Sequence, residues 1–170
     1  MNKKQIIDIT LIPIFATIIF VQEQLLAFLP NIQLTIFLIV LYAKKIGFVK
    51  TSIIILIHVI LDNLIGGSFN FMYLPFMFLG WMIIPIFTSL FLEKCDNPLI
   101  LAILGFTFAF TYSWCFIIPN CLIMNVSFKD YLIADFPFEL ILAISSFLSI
   151  LWLYNPCSRM LTQLLAKIKK

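Results

Sequence analysis

Apolar residues run along this chain in long stretches, and its few charged residues fall mostly between them. The uncharged intervals 24–43, 63–92, 97–128 and 140–158 measure 20, 30, 32 and 19 residues. A run of 18 or more such residues is long enough to cross a hydrocarbon core of about 30 Å. The pattern therefore predicts an all-α integral membrane protein with several spans.

The basic residues set the expected topology. Lys3/Lys4, Lys44/Lys45/Lys50, Lys94, and the group Arg159, Lys167, Lys169 and Lys170 hold ten of the eleven Lys and Arg residues. If all four clusters face the cytoplasm, an even number of crossings separates each neighbouring pair. Residues 6–43 would make about 57 Å of helix at 1.5 Å per residue, enough for two crossings, with a break at Leu29-Pro30-Asn31. Residues 51–92 would make about 63 Å, with a break at Gly66-Gly67-Ser68. Residues 97–158 hold two further crossings and an outer loop around Pro119–Asp130, which carries the outlying Lys129. Six transmembrane helices follow, over residues 6–28, 32–43, 51–65, 71–92, 98–118 and 131–154, in one domain with both termini cytoplasmic. The second and third are short for full spans, so they extend into their loops or meet a thinned or protein-lined region. The opening Met1-Asn2-Lys3-Lys4 leads into an apolar run with no small-residue cleavage site, which predicts a retained span and not a signal peptide.

Composition narrows the function. Of the 170 residues, 63% are hydrophobic, 11% are charged and 19 are Phe. Mean hydropathy is +1.12, and a soluble domain is about a quarter charged. The net charge of +3 sits in the topology clusters, which argues against a nucleic-acid partner. No glycine pair has the spacing of a phosphate loop or a dinucleotide fingerprint. Cys95, Cys115, Cys121 and Cys157 form no C-x-x-C, and one histidine cannot complete a zinc site with them. No metal, cofactor or catalysis is expected.

Polar groups within apolar spans are costly unless they face a cavity or one another, so they are the candidates for function. The substrate-binding candidates are Glu23, Asn31, Asp62, Asn63, Asn70, Tyr73, Trp81, Tyr112, Trp114, Asn120, Asp135 and Glu139. Gln22, Gln24, Gln33 and Ser68 are polar neighbours of these. On the expected topology nearly all lie in the outer half of the membrane, as in a small-ligand pocket open to the outside. The structural alternatives are an interfacial belt for Trp and Tyr and helix bridging for Asn and Gln. Asp135 and Glu139 are four residues apart on one helix face, as are His58 and Asp62. The latter pair suggests a structural hydrogen bond, or a histidine packed between helices, more than a proton relay. With several carboxylates and aromatics against Lys129 alone, the set suits a neutral or cationic heteroaromatic ligand better than a polyanion.

The stretch Phe28-Leu29-Pro30-Asn31-Ile32-Gln33-Leu34-Thr35 and then Leu41-Tyr42-Ala43-Lys44-Lys45 resembles the substrate-binding S components of energy-coupling-factor (ECF) vitamin importers. The resemblance continues through Leu61-Asp62-Asn63-Leu64-Ile65-Gly66-Gly67-Ser68-Phe69-Asn70, Tyr73-Leu74-Pro75-Phe76-Met77 and Gly80-Trp81. It ends at Ile133-Ala134-Asp135-Phe136-Pro137-Phe138-Glu139. It implies a multi-pass subunit of the bacterial cytoplasmic membrane that captures a vitamin or related micronutrient from outside. The subunit would then topple in the lipid bilayer when a transmembrane coupling (T) subunit and two ATP-binding-cassette ATPases act. The resemblance further implies docking through helix 1 around Ala16 and through the Lys44–Lys50 turn. The family's pair of alanines four apart is absent, because Phe20 follows Ala16 at that spacing. A rod-shape-determining membrane scaffold of cell-wall elongation, with an Asp-x-x-x-Gly-Gly turn like Asp62–Gly67, is the alternative resemblance.

Overall fold

A computed structural model describes residues 3–65 and 71–169. Seven helices follow one another: α1 (Lys3–Leu26), α2 (Thr35–Ile46), α3 (Phe48–Ile65), α4 (Tyr73–Phe91), α5 (Pro98–Cys115), α6 (Ile117–Met124) and α7 (Phe128–Lys169). No strand occurs among the described residues. Five stretches are long and apolar enough to cross a membrane: Ile6–Leu26, Phe48–Ile65, Tyr73–Phe91, Pro98–Met124 and Phe128–Ile168. The protein is an all-α, multi-pass membrane protein.

The sixth expected crossing, α2, differs from the rest. Its 12 residues rise about 18 Å, well short of a bilayer core. All nine residues from Thr35 to Ala43 are buried, and α1, α3, α4, α5 and α7 all pack on it. A helix that is apolar on every side belongs in the interior, so α2 is the protein-lined case. The break at Leu29-Pro30-Asn31 falls in the turn after α1, where Asn31 adopts a φ of 57°.

Some boundaries differ from the sequence expectation. The connection expected at 44–50 shrinks to Gly47, whose φ of 90° is open to glycine but strained for other residues. Thr51 fastens the new helix by donating from both its N–H and its hydroxyl to the Gly47 carbonyl, at 3.2 and 2.9 Å. The fifth helix ends at Cys115 instead of residue 118, and α6 fills much of the expected outer loop. Asn125 then ends α6 in the left-handed region at φ 52°. Ser127 opens α7 by accepting from the Asp130 N–H at 3.2 Å and donating to its carboxylate at 2.6 Å. From there α7 runs 42 residues, about 63 Å, so the helix expected over 131–154 continues far past it. Gly66-Gly67-Ser68 lies outside the described residues. Ala16 is fully buried beside Phe15 and Ile19, which corrects the expectation that it faces a partner.

Among the described residues, the helix ends and turns that carry the basic clusters meet at one end of the bundle. Lys50, near the start of α3, pairs with Asp8 of α1. Leu165 of α7 reaches Asp8, Ile12 and Lys45 around a small cavity. Lys44, only 4% exposed at its side chain, donates to the Leu92 and Glu93 carbonyls, both at 2.6 Å. It thereby satisfies carbonyls at the end of α4, as a cation near a helix C-terminus should. Asp96 lies 3.6 Å from Lys44 and 3.9 Å from Lys45 and accepts from the Tyr154 hydroxyl at 2.7 Å. Asn97 then caps α5 by accepting from the Leu99 N–H at 2.9 Å, with Pro98 in the first turn. The positive-inside rule is the basis for expecting this end on the cytoplasmic side.

Two outcomes follow for this end. Removing the Lys44 ammonium takes a charged donor from the Leu92 carbonyl, which keeps only the Cys95 N–H at 3.0 Å, and from the exposed Glu93 carbonyl. A hydrogen bond to a charged group contributes about 1.5–3 kcal/mol. Lys44→Ala should therefore lower the melting temperature in detergent clearly more than Lys94→Ala; equal effects would contradict the buried clamp. The hydrogen bond from Tyr154 holds the Asp96 carboxyl below its usual 3.8, helped by Lys44 and Lys45 against the opposing effect of partial burial. A depressed carboxyl stabilises the fold above its unfolded value and loses that contribution as pH falls through its folded value. Asp96→Asn should thus be slightly destabilising at neutral pH, with the deficit closing below about pH 3.8; thermal scans across pH check this.

Candidate ligand-binding site at the opposite end of the bundle

At the far end the chain must solve a backbone problem. The first turn of α2 begins inside the protein, where its N–H groups need acceptors. Gln22 of α1 supplies one, with Oε1 accepting from the Leu34 N–H at 2.8 Å, while its Nε2 donates to the Thr35 hydroxyl at 2.7 Å. The Thr35 hydroxyl donates in turn to the Glu23 carboxylate, and Gln33 Oε1 stands 3.1 Å from the same oxygen. Across the bundle, the Ser145 hydroxyl of α7 donates to the Gln33 carbonyl at 3.3 Å. A carboxylate beside a helix N-terminus is also placed where the helix dipole favours it. The second Glu23 oxygen faces His58 of α3, 3.5 Å from Nε2. His58 is fully buried.

Rings continue the chain of contacts outward from His58. Its imidazole centroid lies 6.4 Å from that of Trp81 in α4, and Trp81 stacks on Tyr112 of α5 at 3.6 Å and 19°. Gly80 makes the stack possible, because a Cβ there would stand 2.8 Å from Tyr112 Cδ2. Tyr112 meets Phe116 edge-on at 5.1 Å, and Phe116 meets Tyr73 at 6.1 Å. Each aromatic contact of this kind adds about 0.5–1.5 kcal/mol beyond burial.

Tyr73 hands the chain to a polar cluster. Its hydroxyl donates to Asn120 Oδ1 at 2.5 Å, Asn120 Nδ2 donates to the Tyr131 hydroxyl at 2.6 Å, and Tyr131 donates to Asp135 at 3.2 Å. Tyr131, Asp135 and Glu139 are spaced four apart on α7, so they share a face. Glu139 is 1% exposed. Trp114 stands beside it as a hydrogen-bonding neighbour, although neither carboxylate oxygen meets a donor in full hydrogen-bond geometry.

The structure thus joins Glu23, Trp81, Tyr112, Tyr73, Asn120 and Asp135 into one connected path, with Glu139 at its end. Asp62 is partly buried and is an electrostatic neighbour of Glu23 and Tyr112. The carboxylate that pairs with His58 is Glu23 of α1; the expected His58–Asp62 pairing along one helix face gives way to this cross-helix contact. Asn63 is committed elsewhere, donating to the Val59 carbonyl at 2.9 Å and to Met77 Sδ at 3.4 Å. Asn31 is exposed in its turn, and Trp114 is 52% exposed beside Phe110. Asn70 lies outside the described residues. Thr35 and Tyr131 were absent from the expected set: one looks like an ordinary helix-start threonine and the other like an interfacial tyrosine.

Buried polar atoms without a partner concentrate in this region. Among the described residues these are His58 Nδ1, Trp81 Nε1, both Glu139 oxygens and Thr88 Oγ1, with His58 Nε2 making only its 3.5 Å charge contact with Glu23 and no hydrogen bond. Of these, Thr88 alone belongs to the half nearer the basic clusters. Such atoms cost about 1–3 kcal/mol each when nothing meets them, so their grouping on three helices marks a place built to receive polar groups.

What fold and site define together is a multi-pass helical membrane protein with a polar, aromatic-lined region at the end away from its basic clusters. No protein-family model, curated protein or solved structure matches the chain.

Thr35 is the hinge of the inner part of this region. Thr35→Val keeps the shape and deletes the donor to Glu23, at an expected cost of about 1–3 kcal/mol. Its melting temperature in detergent should fall well below that of Thr107→Val, which changes an exposed threonine. Equal melting temperatures would show that Glu23 does not need Thr35.

Proposed function

We propose that the chain is the substrate-capture subunit, or S component, of an ECF-type importer in the bacterial cytoplasmic membrane. It takes a vitamin or related small micronutrient from the outer side and performs no chemistry of its own. The observation that carries this reading is the set of unmatched buried polar atoms on His58, Trp81 and Glu139, joined by an aromatic path and facing away from the basic end. A polar ligand entering there completes hydrogen bonds that the chain leaves open. A rod-shape scaffold has no use for such a set.

A separate coupling subunit and two ATPases supply the energy. With Ala16 inside the fold, the surface of α1 left for the coupling subunit is the exposed stripe that includes Ile14, Ile18, Val21 and Leu25. The short α2–α3 turn at Gly47 is the accompanying cytoplasmic contact.

Tagged purification in mild detergent, with mass spectrometry of proteins and small molecules, tests the reading. Two ATP-binding-cassette ATPases and a large helical partner are expected to copurify, together with a micronutrient. Cell-wall synthesis proteins in their place would make the chain a scaffold. For the copurified molecule, Asp135→Ala and Glu139→Ala should each weaken binding at least tenfold by calorimetric titration, which is about 1.4 kcal/mol. If both leave affinity unchanged, α7 does not belong to the site.

A further inference from the structure

We infer that the Asp135–Glu139 face of α7 is a subsite for an organic cation, an alkylammonium or a protonated ring nitrogen carried by the captured molecule. The inference rests on the capture reading and names the charge that the site selects.

The argument begins with charge balance. Glu139 is 99% withdrawn from solvent, being 1% exposed, and a buried carboxylate without a partner is among the most costly groups a fold can hold. One helical turn earlier stands Asp135, a second acid on the same face. Asp135 is oriented by Tyr131, which Asn120 and Tyr73 position in turn. Glu139 has Trp114 as its one neighbouring donor: no ion pair reaches it among the described residues, and neither oxygen meets a donor in full hydrogen-bond geometry.

The chain cannot supply the missing positive charge. Ten of its eleven basic residues belong to the four sequence clusters, whose described members lie at the opposite end, leaving Lys129. Lys129 is exposed near the start of α7, and no ion pair among the described residues involves it. Residues 66–70, Gly-Gly-Ser-Phe-Asn, contain no cation. Glu23 shows the contrast: its side chain is 13% exposed, Thr35 donates to one of its oxygens, and the other stands 3.5 Å from His58 Nε2. Of the carboxylates at this end, Glu139 is the buried one left open.

The surroundings favour an organic cation over the alternatives. Among the described residues no three His, Cys, Asp or Glu side chains are grouped so as to hold a metal ion. Phe110 links Trp114 and Phe136, with both centroid separations at 6.3 Å, and Trp114 lies beside Glu139. Aromatic faces next to a carboxylate attract ammonium and heteroaromatic cations, whereas a carboxylate or phosphate ligand would meet two negative charges at once.

The test uses three molecules that share one ring and differ in charge: benzylamine, benzyl alcohol and benzoate. Thermal stability of the purified full chain is measured in detergent with each, for wild type, Glu139→Gln and Lys129→Gln. Benzylamine is expected to raise the melting temperature of wild type and of Lys129→Gln, while the other two compounds do not. In Glu139→Gln the same shift should need at least tenfold more benzylamine. That variant, freed of an orphan charge, should melt no lower than wild type when empty, which shows that it folds. Equal protection by benzyl alcohol or benzoate overturns the inference, as does undiminished benzylamine protection of Glu139→Gln, or no protection by any of the three. Those results leave the capture reading to its own test, the copurifying ATPases. A benzylamine effect without those partners retires the importer and keeps the cation subsite.

Discussion

A helix that starts inside an apolar bundle must find acceptors for its first N–H groups, and much of this structure follows from how α2 finds them. At about 18 Å, α2 cannot reach from one interface to the other, so its N-terminus lies where neither water nor lipid can satisfy it. The chain answers at Leu34, whose N–H donates to Gln22 of α1, and the Thr35 hydroxyl then ties Gln22 to Glu23 and Gln33. Bringing Glu23 into the interior then calls for a further partner, and His58 of α3 provides it. One backbone requirement thereby ties three helices together at a fixed height. Interior polar contacts and close packing suit a membrane bundle, because lipid offers no hydrophobic force to press helices against each other.

That joint also sets the aromatic path. His58 lies below Trp81, and Trp81 is held flat by Tyr112 because Gly80 leaves the space open. From Tyr112 the rings lead to Phe116 and Tyr73, and so to the short α6, whose Asn120 connects α4 with α7. α6 occupies a stretch that could have been an irregular loop. As a helix it keeps its backbone satisfied and presents Asn120 to two tyrosines at once.

The architecture was largely legible in the sequence, and the site only in outline. Charge-free runs mark spans because each charge in hydrocarbon is costly, so the helices at 73–91 and 98–115 fall close to their expected places. The α2–α3 connection was not legible, because a lysine-rich stretch reads as a loop while Gly47 alone reverses the chain. The site candidates rested on polarity and depth, which find Glu23, Trp81, Asn120 and Asp135 but cannot say what each one faces. Spacing along one helix suggested His58 with Asp62; the contact with Glu23 joins residues 35 positions apart, and no local pattern encodes it. Asn63 shows the converse, a polar residue at the right depth whose hydrogen bonds are spent on Val59 and Met77.

The two ends of the bundle manage charge in opposite ways, and the difference bears on function. At the basic end acids and bases meet: Asp8 has Lys50, and Asp96 has Lys44, Lys45 and Tyr154. Those contacts are complete within the chain and lock its turns. At the other end, beside the exposed Asp130, the four carboxylates Glu23, Asp62, Asp135 and Glu139 share one imidazole and no buried cation among the described residues. A fold selected for stability alone would replace Glu139 with a glutamine or an apolar residue, since an unpaired buried acid works against it. Proteins keep such a group where something else supplies its partner. The imbalance is confined to the end with the aromatic path and the open hydrogen bonds, so charge and unmet polarity point to the same place for a ligand to enter.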